Sequence, residues 1–327
     1  MKIGMIGPHG PDMFATNIGE SLREMGHQVH MLGPAVPRPR SRIGMGAVGL
    51  AVTTLPAVES RLHHAPARAA IERQCDAVIS VDHNIVPEAV AELRRNRIAV
   101  ALWYPDHVAN IGRQRMIASP YTAVFTKEPL LAERLRNTLG LRAFYLPQAC
   151  NPRWHRPLAE PAEERTIVVV GNMYPSRLFL LRRLHEAGIP LTLYGGKLPG
   201  YLRRLMPPAL RVHPPVFREA KSRVFRRAAA VLNNLHPAEM DGVNLRLFEA
   251  TAAGAAVLCE DRRVVADLYE PDREVVPFTT FDELVDRASE LLDNPALTRE
   301  IGDAATKRAH AEHTYEQRLP QLLDELC

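Results

Sequence analysis

The feature that most limits what this chain can fold into is an alternation, present in both halves, of short apolar runs with stretches of helical spacing. Residues 2–6 (KIGMI) form an apolar run stopped by Gly-Pro, a helical stretch follows from Met13 to Met25, and GHQVHML returns to strand character. The series continues with DAVISV at 76–81, a helix from Pro87 to Asn96, IAVALWY at 98–104, AVFT at 123–126, a helix through Leu139 and AFYLP at 143–147. Strands separated by helices of roughly ten residues are joined by crossovers, which implies parallel pairing. The stretch Asn151–Glu164, rich in Pro and Glu, has the composition of a linker. Beyond it the pattern restarts with TIVVVG at 166–171, a helix from Ser176 to Ala187, LTLYG at 191–195 and RVHPPV at 211–216. A helix at 218–228, AVLNN at 230–234, a helix near 244–254, AAVLCE at 255–260 and EVVPF at 274–278 complete it. The tail from Phe281 to Cys327 reads as helices, with Leu284, Ala288, Leu291 and Leu292 at helical spacing.

The expected fold is therefore α/β, with two Rossmann-like, doubly wound domains in tandem. Their expected limits are 1–155 and 156–305, with a C-terminal helix at 306–327 packing back across the junction. A length of 327 residues agrees, since it exceeds what one hydrophobic core usually supports. Ligands of such sheets bind outside the carboxyl ends of the strands, so the active site is expected in a cleft between the lobes.

Composition excludes several alternatives. Hydrophobic residues at 46% and charged residues at 24% rule out disordered, collagenous and disulfide-scaffold chains. Cys75, Cys150, Cys259 and Cys327 lie far apart with no CxxC pair, which leaves no zinc knuckle or redox pair and fits reduced thiols in the cytoplasm. The N-terminus lacks the apolar core of a signal peptide and no run of about 18 apolar residues occurs, so a soluble protein is expected. The segment Pro34–Arg42 (PAVPRPRSR) sets three arginines among prolines and cannot form a regular element. A solvated loop and a peripheral membrane contact are both open for it. A net charge of +4, with basic clusters such as RLRR but no aromatic platform or reading helix, gives no reason to expect nucleic acid.

Two segments carry chemistry. The first turn reads Gly4-x-x-Gly7-x-x-Gly10, with Pro8 and Pro11, which departs from the G-x-G-x-x-G of dinucleotide-binding enzymes and disfavours a nicotinamide cofactor. The glycines serve either a tight turn or close approach to phosphate or sugar, with His9 and Asn17 beside Gly10. The second segment is DGVNLRLFEATAAG at 241–254. A helix beginning near Asn244 and Leu245 would aim free N–H groups and its dipole at a diphosphate. Glu249 then lies about one and a half turns in, where its carboxylate can accept two hydrogen bonds from a ribose diol, while Asp241 can hold sugar hydroxyls. The alternative is a Glu249 that is solvated or paired with Arg246 at i,i+3.

The run GVNLRLFEATAAGAAVLCE, together with HTYEQR at 313–318, resembles the C-terminal domain of spore-maturation-type (CgeB-like) glycosyltransferases, within the family-4-like retaining GT-B enzymes. The resemblance spans about residues 165 to 320. It implies a donor site marked by a carboxylate, seven residues and a Glu, here Asp241 and Glu249, with Asp where Glu is usual. It also implies Arg and Lys after the glycine that ends the first strand of that domain. In VVVGNMYPSR the glycine is Gly171, the Arg position holds Asn172 and the Lys position holds Arg177. One cation is thus missing from its place, and Arg246, which matches the CgeB-like pattern, is the expected replacement. PHGPDMFATNIGESLREMGHQV and YLPQACNPRWHRP are similar to the family's opening and interdomain crossover. Asp106 and His107, at the end of LWYPDHVAN, either orient the acceptor or the sugar or serve structure, and Asp82 and His83 share that ambiguity. Base recognition falls to YGGK, through Gly195, and to PPVF, through Val216 and Phe217; the Phe217 ring would stack on the base or else belong to the core.

No D-x-D triplet occurs, so the metal-bridged diphosphate of the other major glycosyltransferase fold has no ligand set, and neither metal nor cofactor is expected. The leaving diphosphate would be stabilised by Arg177, Arg246 and the helix N-terminus. The resemblance implies a hexosyltransferase-type enzyme that moves a sugar, with retention, from a nucleoside-diphosphate sugar (UDP- or GDP-sugar) to the hydroxyl of an unknown acceptor. A nucleotide-sugar epimerase or hydrolase and a noncatalytic nucleotide-sugar-binding protein are the alternatives.

Overall fold

The computed structural model describes residues 1–36, 42–107, 115–158 and 164–327. The chain forms two compact units, Met1–Pro147 with Tyr315–Cys327, and Gln148–Thr314. These divide at 147 and 314, against the expected 155 and 305.

In the first unit the elements are β1 (Lys2–Ile6), α1 (Phe14–Glu24), β2 (Gln28–Gly33), α2 (Arg42–Thr54), α3 (Pro56–Glu72), β3 (Ala77–Ser80) and α4 (Pro87–Arg95). They continue with β4 (Ala99–Tyr104), α5 (Arg115–Ala118), β5 (Ala123–Thr126), α6 (Pro129–Asn137) and β6 (Ala143–Tyr145). All strands pair in parallel in the order β2-β1-β3-β4-β5-β6. The expected strands are all present. Helices α2 and α3 were not foreseen: α2 (RIGMGAVGLAVTT) has no polar face to set a 3.6-residue period, and α3 carries Pro66 inside it. The arginines of the 34–42 segment fall largely on 37–41, outside the described residues.

The second unit comprises β7 (Glu164–Val170), α7 (Pro175–Glu186), β8 (Leu191–Tyr194), α8 (Gly200–Arg203), β9 (Val212–His213), α9 (Arg218–Arg227), β10 (Ala228–Asn233), α10 (Leu245–Ala252), β11 (Val257–Glu260), α11 (Arg263–Leu268), β12 (Val276–Phe278), α12 (Phe281–Asp293) and α13 (Pro295–Glu312). Its parallel order, β12-β11-β10-β7-β8-β9, is the doubly wound order of dinucleotide-binding sheets. Strand β9 is shorter than RVHPPV suggested, because Pro214 and Pro215 have no N–H to continue the ladder. Pro277 is tolerated in β12, which lies at the sheet edge.

A parallel sheet is buried on both faces, and the two-residue alternation of β7 divides its valines accordingly. Val168 and Val170 pack with Phe225 of α9 and Leu247 and Phe248 of α10, whereas Ile167 and Val169 pack with Leu178 and Leu181 of α7 and Leu284 of α12. The last helix, α14 (Tyr315–Asp324), belongs to the first unit, where Tyr315, Phe14 of α1 and Trp103 of β4 form a ring cluster with Phe14 and Trp103 centroids 4.8 Å apart. The Trp103 indole donates to Leu146 O at 3.1 Å, so its buried N–H is satisfied. Among the described residues no helix is long and apolar enough to cross a membrane.

Close packing of α13 on the end of α10 depends on two small residues. A Cβ at Gly302 would lie 2.4 Å from Gly254 O, and Thr306 Oγ1 donates to Thr251 O at 3.0 Å. The substitution Gly302→Ala is expected to destabilise the protein by about 1–3 kcal/mol through overpacking, against a helix-propensity gain of about 1 kcal/mol. A thermal midpoint at or above that of the wild type would contradict this reading of the contact.

Candidate functional site

In the second sheet the chain runs outward from β7 through β8 to β9 and then returns to β10 on the other side of β7. Loops leaving β7 and β10 therefore diverge at the carboxyl edge, the usual ligand position in such sheets. The turn after β7 begins at Gly171, whose φ of +135° is a conformation that favours glycine. A Cβ there would sit 3.4 Å from both Arg177 Nη1 and Arg246 Nη2, so two guanidinium groups converge on this position. Gly195, ending β8, is equally constrained, since its Cβ would meet Gly171 O at 2.6 Å.

Arg177, in the first turn of α7, is buried and held on three sides. Its Nε donates to Asn234 Oδ1, Nη2 to Asn234 O and Nη1 to Asn172 O, each at 2.8 Å. Its guanidinium lies 4.6 Å from the centroid of the Tyr174 ring, and Asn234 Nδ2 donates to the Tyr174 hydroxyl at 3.2 Å. The side chain thus joins the turn after β7 to the end of β10. Burial, and then proximity to Arg246, push the Arg177 guanidinium below its ordinary range, with Tyr174 and Glu260 opposing. The guanidinium nevertheless remains charged, as guanidinium groups in proteins do.

Helix α10 begins as expected. Asn244 is its cap, with Oδ1 accepting from Arg246 N at 2.9 Å. One turn on, Glu249 is 1% exposed, and its Oε2 accepts a hydrogen bond from Arg246 Nη1. Its Oε1 accepts from Lys221 Nζ of α9 at 2.7 Å, and Lys221 is itself only 2% exposed. The buried His155 accepts the Asn151 N–H at Nδ1 (3.0 Å), which places its ring proton on Nε2, 3.4 Å from Glu249 Oε1. Burial alone would raise the Glu249 pKa, but Lys221, Arg246 and His155 together override it and lower the value to about 2. The i,i+3 pair of Glu249 with Arg246 is present, Lys221 is added to it, and the carboxylate is buried rather than solvated.

The remaining expected residues are dispersed. Asp241 Oδ2 lies 3.7 Å from Arg263 Nη2. Leu245 opens α10, Asn172 is exposed and offers its carbonyl to Arg177, and Val216 packs against the core cluster that contains Val168 and Phe248. Phe217 is the residue before α9, its carbonyl accepting from Lys221 N at 3.3 Å, and its ring is exposed rather than in the core. Gly10, Asp106 and His107 belong to the first unit. There Gly10 N donates to Thr16 Oγ1 at 3.0 Å, His107 N to Asp106 Oδ1 at 3.3 Å and the Tyr104 hydroxyl to His107 O at 2.8 Å. Asp82 accepts from Ala35 N and Asn84 N, which ties two loops together, and His83 meets Tyr104 edge-on with centroids 5.1 Å apart. Among the described residues no group of three or more His, Cys, Asp or Glu side chains is gathered as for a metal ion.

Sequence reasoning missed Lys221, His155, Asn234 and Tyr174. Lys221 had a signal: in REAKSRVFRR it stands one turn before the buried Phe225, on the face that also buries Ser222, where a lysine is rare unless paired. The other three had none, since their roles follow from contacts distant in the chain.

With this geometry in view, the relatives can be stated. The family described as Glycosyl transferase-like matches residues 156–324, and the chain belongs to it. A search of the curated proteins finds no match. Among solved structures, sucrose-phosphate synthase (tll1590) from Thermosynechococcus elongatus is similar with a TM-score of 0.72 and 16% identity over 99% of this chain and 98% of that one. Anabaena Alr3699/HepE, solved in complex with UDP, has a TM-score of 0.65 and 15% identity over 100% of both chains. AviGT4, a glycosyltransferase involved in avilamycin A biosynthesis, has a TM-score of 0.63 and 16% identity over 99% of this chain and 96% of that one. The fold is that of the GT-B glycosyltransferases, with two parallel six-stranded sheets.

The buried pair sets two expectations. Lys221→Met removes the buried cation of the pair, leaves Glu249 with Arg246 alone as its bonded cation, and is expected to cost up to about 3–5 kcal/mol, whereas the double variant Lys221→Met/Glu249→Gln costs far less. Glu249 is depressed to about 2 from an ordinary 4.5, so between those values the unfolded chain binds the extra proton. Its contribution is complete above the ordinary value and is lost as pH falls through the folded one. Thermal midpoints from about pH 5 to about pH 2 should show the wild type losing stability relative to the double variant; a constant difference would contradict the assignment.

Proposed function

We propose that this protein is a retaining, metal-independent glycosyltransferase of the CgeB-like type, transferring a hexose from a UDP- or GDP-sugar to an acceptor hydroxyl. The observation that carries the reading is the convergence of Arg177 and Arg246 beside Gly171, at the crossover of the second sheet and next to the N-terminus of α10. A nucleoside diphosphate is a leaving group whose charge grows as the glycosidic bond breaks. Two fixed guanidinium groups and a helix N-terminus are suited to that charge and need no reorganisation at the moment of transfer. Arg246 in this arrangement supplies the cation that Asn172 does not.

The UDP held by Anabaena Alr3699/HepE, a structural neighbour also solved with UDP and glucose, supports a nucleotide-sugar as the donor here. Gly195, Val216 and Phe217 follow or precede the neighbouring strands and helix and are the candidates for base contact, with the exposed Phe217 ring available for stacking. Asp241 would hold sugar hydroxyls. Asp106 and His107, at the carboxyl end of β4, are assigned to the acceptor hydroxyl.

The test is a thermal-shift panel of UDP, GDP, ADP, dTDP and their sugars, run in parallel with EDTA and with a divalent metal ion. One nucleotide should raise the midpoint, because a ligand that binds only the native state stabilises it. Arg177→Ala should abolish that shift and lower turnover by about 10²–10³-fold. No stabilisation by any nucleotide at millimolar concentration would defeat the donor reading; stabilisation without transfer to any acceptor would favour a binding role, and an effect that required metal would defeat metal independence.

A further inference from the structure

Helix α2 has no part in the donor reading, and its sequence is unusual for a surface helix. Residues 43–58 (IGMGAVGLAVTTLPAV) form a run of 16 without a charge. Arg38, Arg40 and Arg42 precede the run and Arg61 and Arg68 follow it, while Glu59 is the one acid between Pro34 and Arg68. Such a run belongs in a core, yet among the described residues of α2 none is buried. Leu50 is 65% exposed and Leu55, which caps α3, is 52% exposed. The anchoring of α3 comes from its second half, where Ala67 and Ala70 join the core built from β1, β3 and α4. A sizeable apolar surface left uncovered marks an interaction site.

We propose that α2 and the first turns of α3 dock this protein on a bilayer containing anionic lipid. The apolar residues would enter the acyl boundary, with Arg61 and Arg68 pairing with lipid phosphates. Both arginines are exposed, and at i,i+7 they share one face of α3. Long basic side chains beside an apolar stretch can bury their stems and leave the charge at headgroup level. The run is shorter than the roughly 20 residues needed to cross a hydrocarbon core and is interrupted at Pro56, so it suits a helix that lies in the interface. Thr54, one of its two hydroxyl residues, donates to Leu50 O at 2.7 Å, which lowers the cost of taking that hydroxyl out of water. A second copy of the chain is the other apolar surface available, but it would set these arginines against their equals, like charge on like charge.

Flotation of the full chain with vesicles of phosphatidylcholine alone, and of equal parts phosphatidylcholine and phosphatidylglycerol, tests the proposal at low and at high salt. The proteins compared are the wild type, Leu50→Ser/Leu55→Ser and Arg61→Gln/Arg68→Gln. All four side chains are exposed, so thermal midpoints close to that of the wild type are expected. The wild type should float with the anionic vesicles and not with phosphatidylcholine, and high salt should release it. Arg61→Gln/Arg68→Gln should weaken partition by about tenfold, and Leu50→Ser/Leu55→Ser by about tenfold or more. No flotation with anionic vesicles, equal flotation with phosphatidylcholine alone, or flotation that either variant keeps in full would overturn the proposal. So would a dimer that Leu50→Ser/Leu55→Ser dissociates while no vesicle binds, which would make this face an interface between copies. None of these results bears on the donor reading, since nucleotide stabilisation is measured without lipid.

Discussion

A parallel sheet has to be covered on both faces, and that requirement governs how each unit of this protein is built. Each crossover helix returns the chain to the same edge, so every strand delivers its carboxyl end to one side. In the second unit the order β12-β11-β10-β7-β8-β9 reverses beside β7. The loops after β7 and β10 then diverge, and the buried side chains of Arg177 and Asn234 bridge them. The alternating valines of β7 serve this placement as much as stability, since they seat α10 on one face and α7 on the other.

Electrostatics at this edge follows from burial. A carboxylate at 1% exposure would be protonated in an apolar setting; with Lys221 and Arg246 against it, Glu249 is instead held ionised down to about 2. The buried ion pair is weak evidence of stabilisation, because desolvation offsets much of the attraction. Arg246 lies near Arg177, whose guanidinium is pushed below its ordinary range by burial and then by this like charge. Glycine at 171 and 195 is part of the same arrangement, because a side chain at either position would occupy the space between the turn and its neighbours.

The likeness to solved GT-B enzymes holds at 15–16% identity over essentially the full chain, so what is shared is the layer plan and not the wording of the loops. The glycosyl transferase-like family match covers the half that contains Gly171, Arg177, Arg246 and Glu249. Gly10, Asp106 and His107 lie in the first unit, outside that match.

Much of the fold could be read from the residues alone. Apolar runs such as TIVVVG and IAVALWY, spaced by amphipathic stretches, determined the strand series and its parallel pairing, because those periods reflect burial that any packing of the chain must satisfy. The start of α10 near Asn244 and the i,i+3 spacing of Arg246 and Glu249 were likewise local, each resting on contacts within a turn or two. Helices α2 and α3 escaped because an apolar, glycine-bearing segment and an internal proline blur the helical period. Lys221, His155 and Asn234 could be placed only by tertiary structure. Lys221 is 28 residues from Glu249 and Asn234 is 57 from Arg177, and nothing in local spacing specifies which buried charge or amide will meet another once α9, α10 and the turn after β7 have packed.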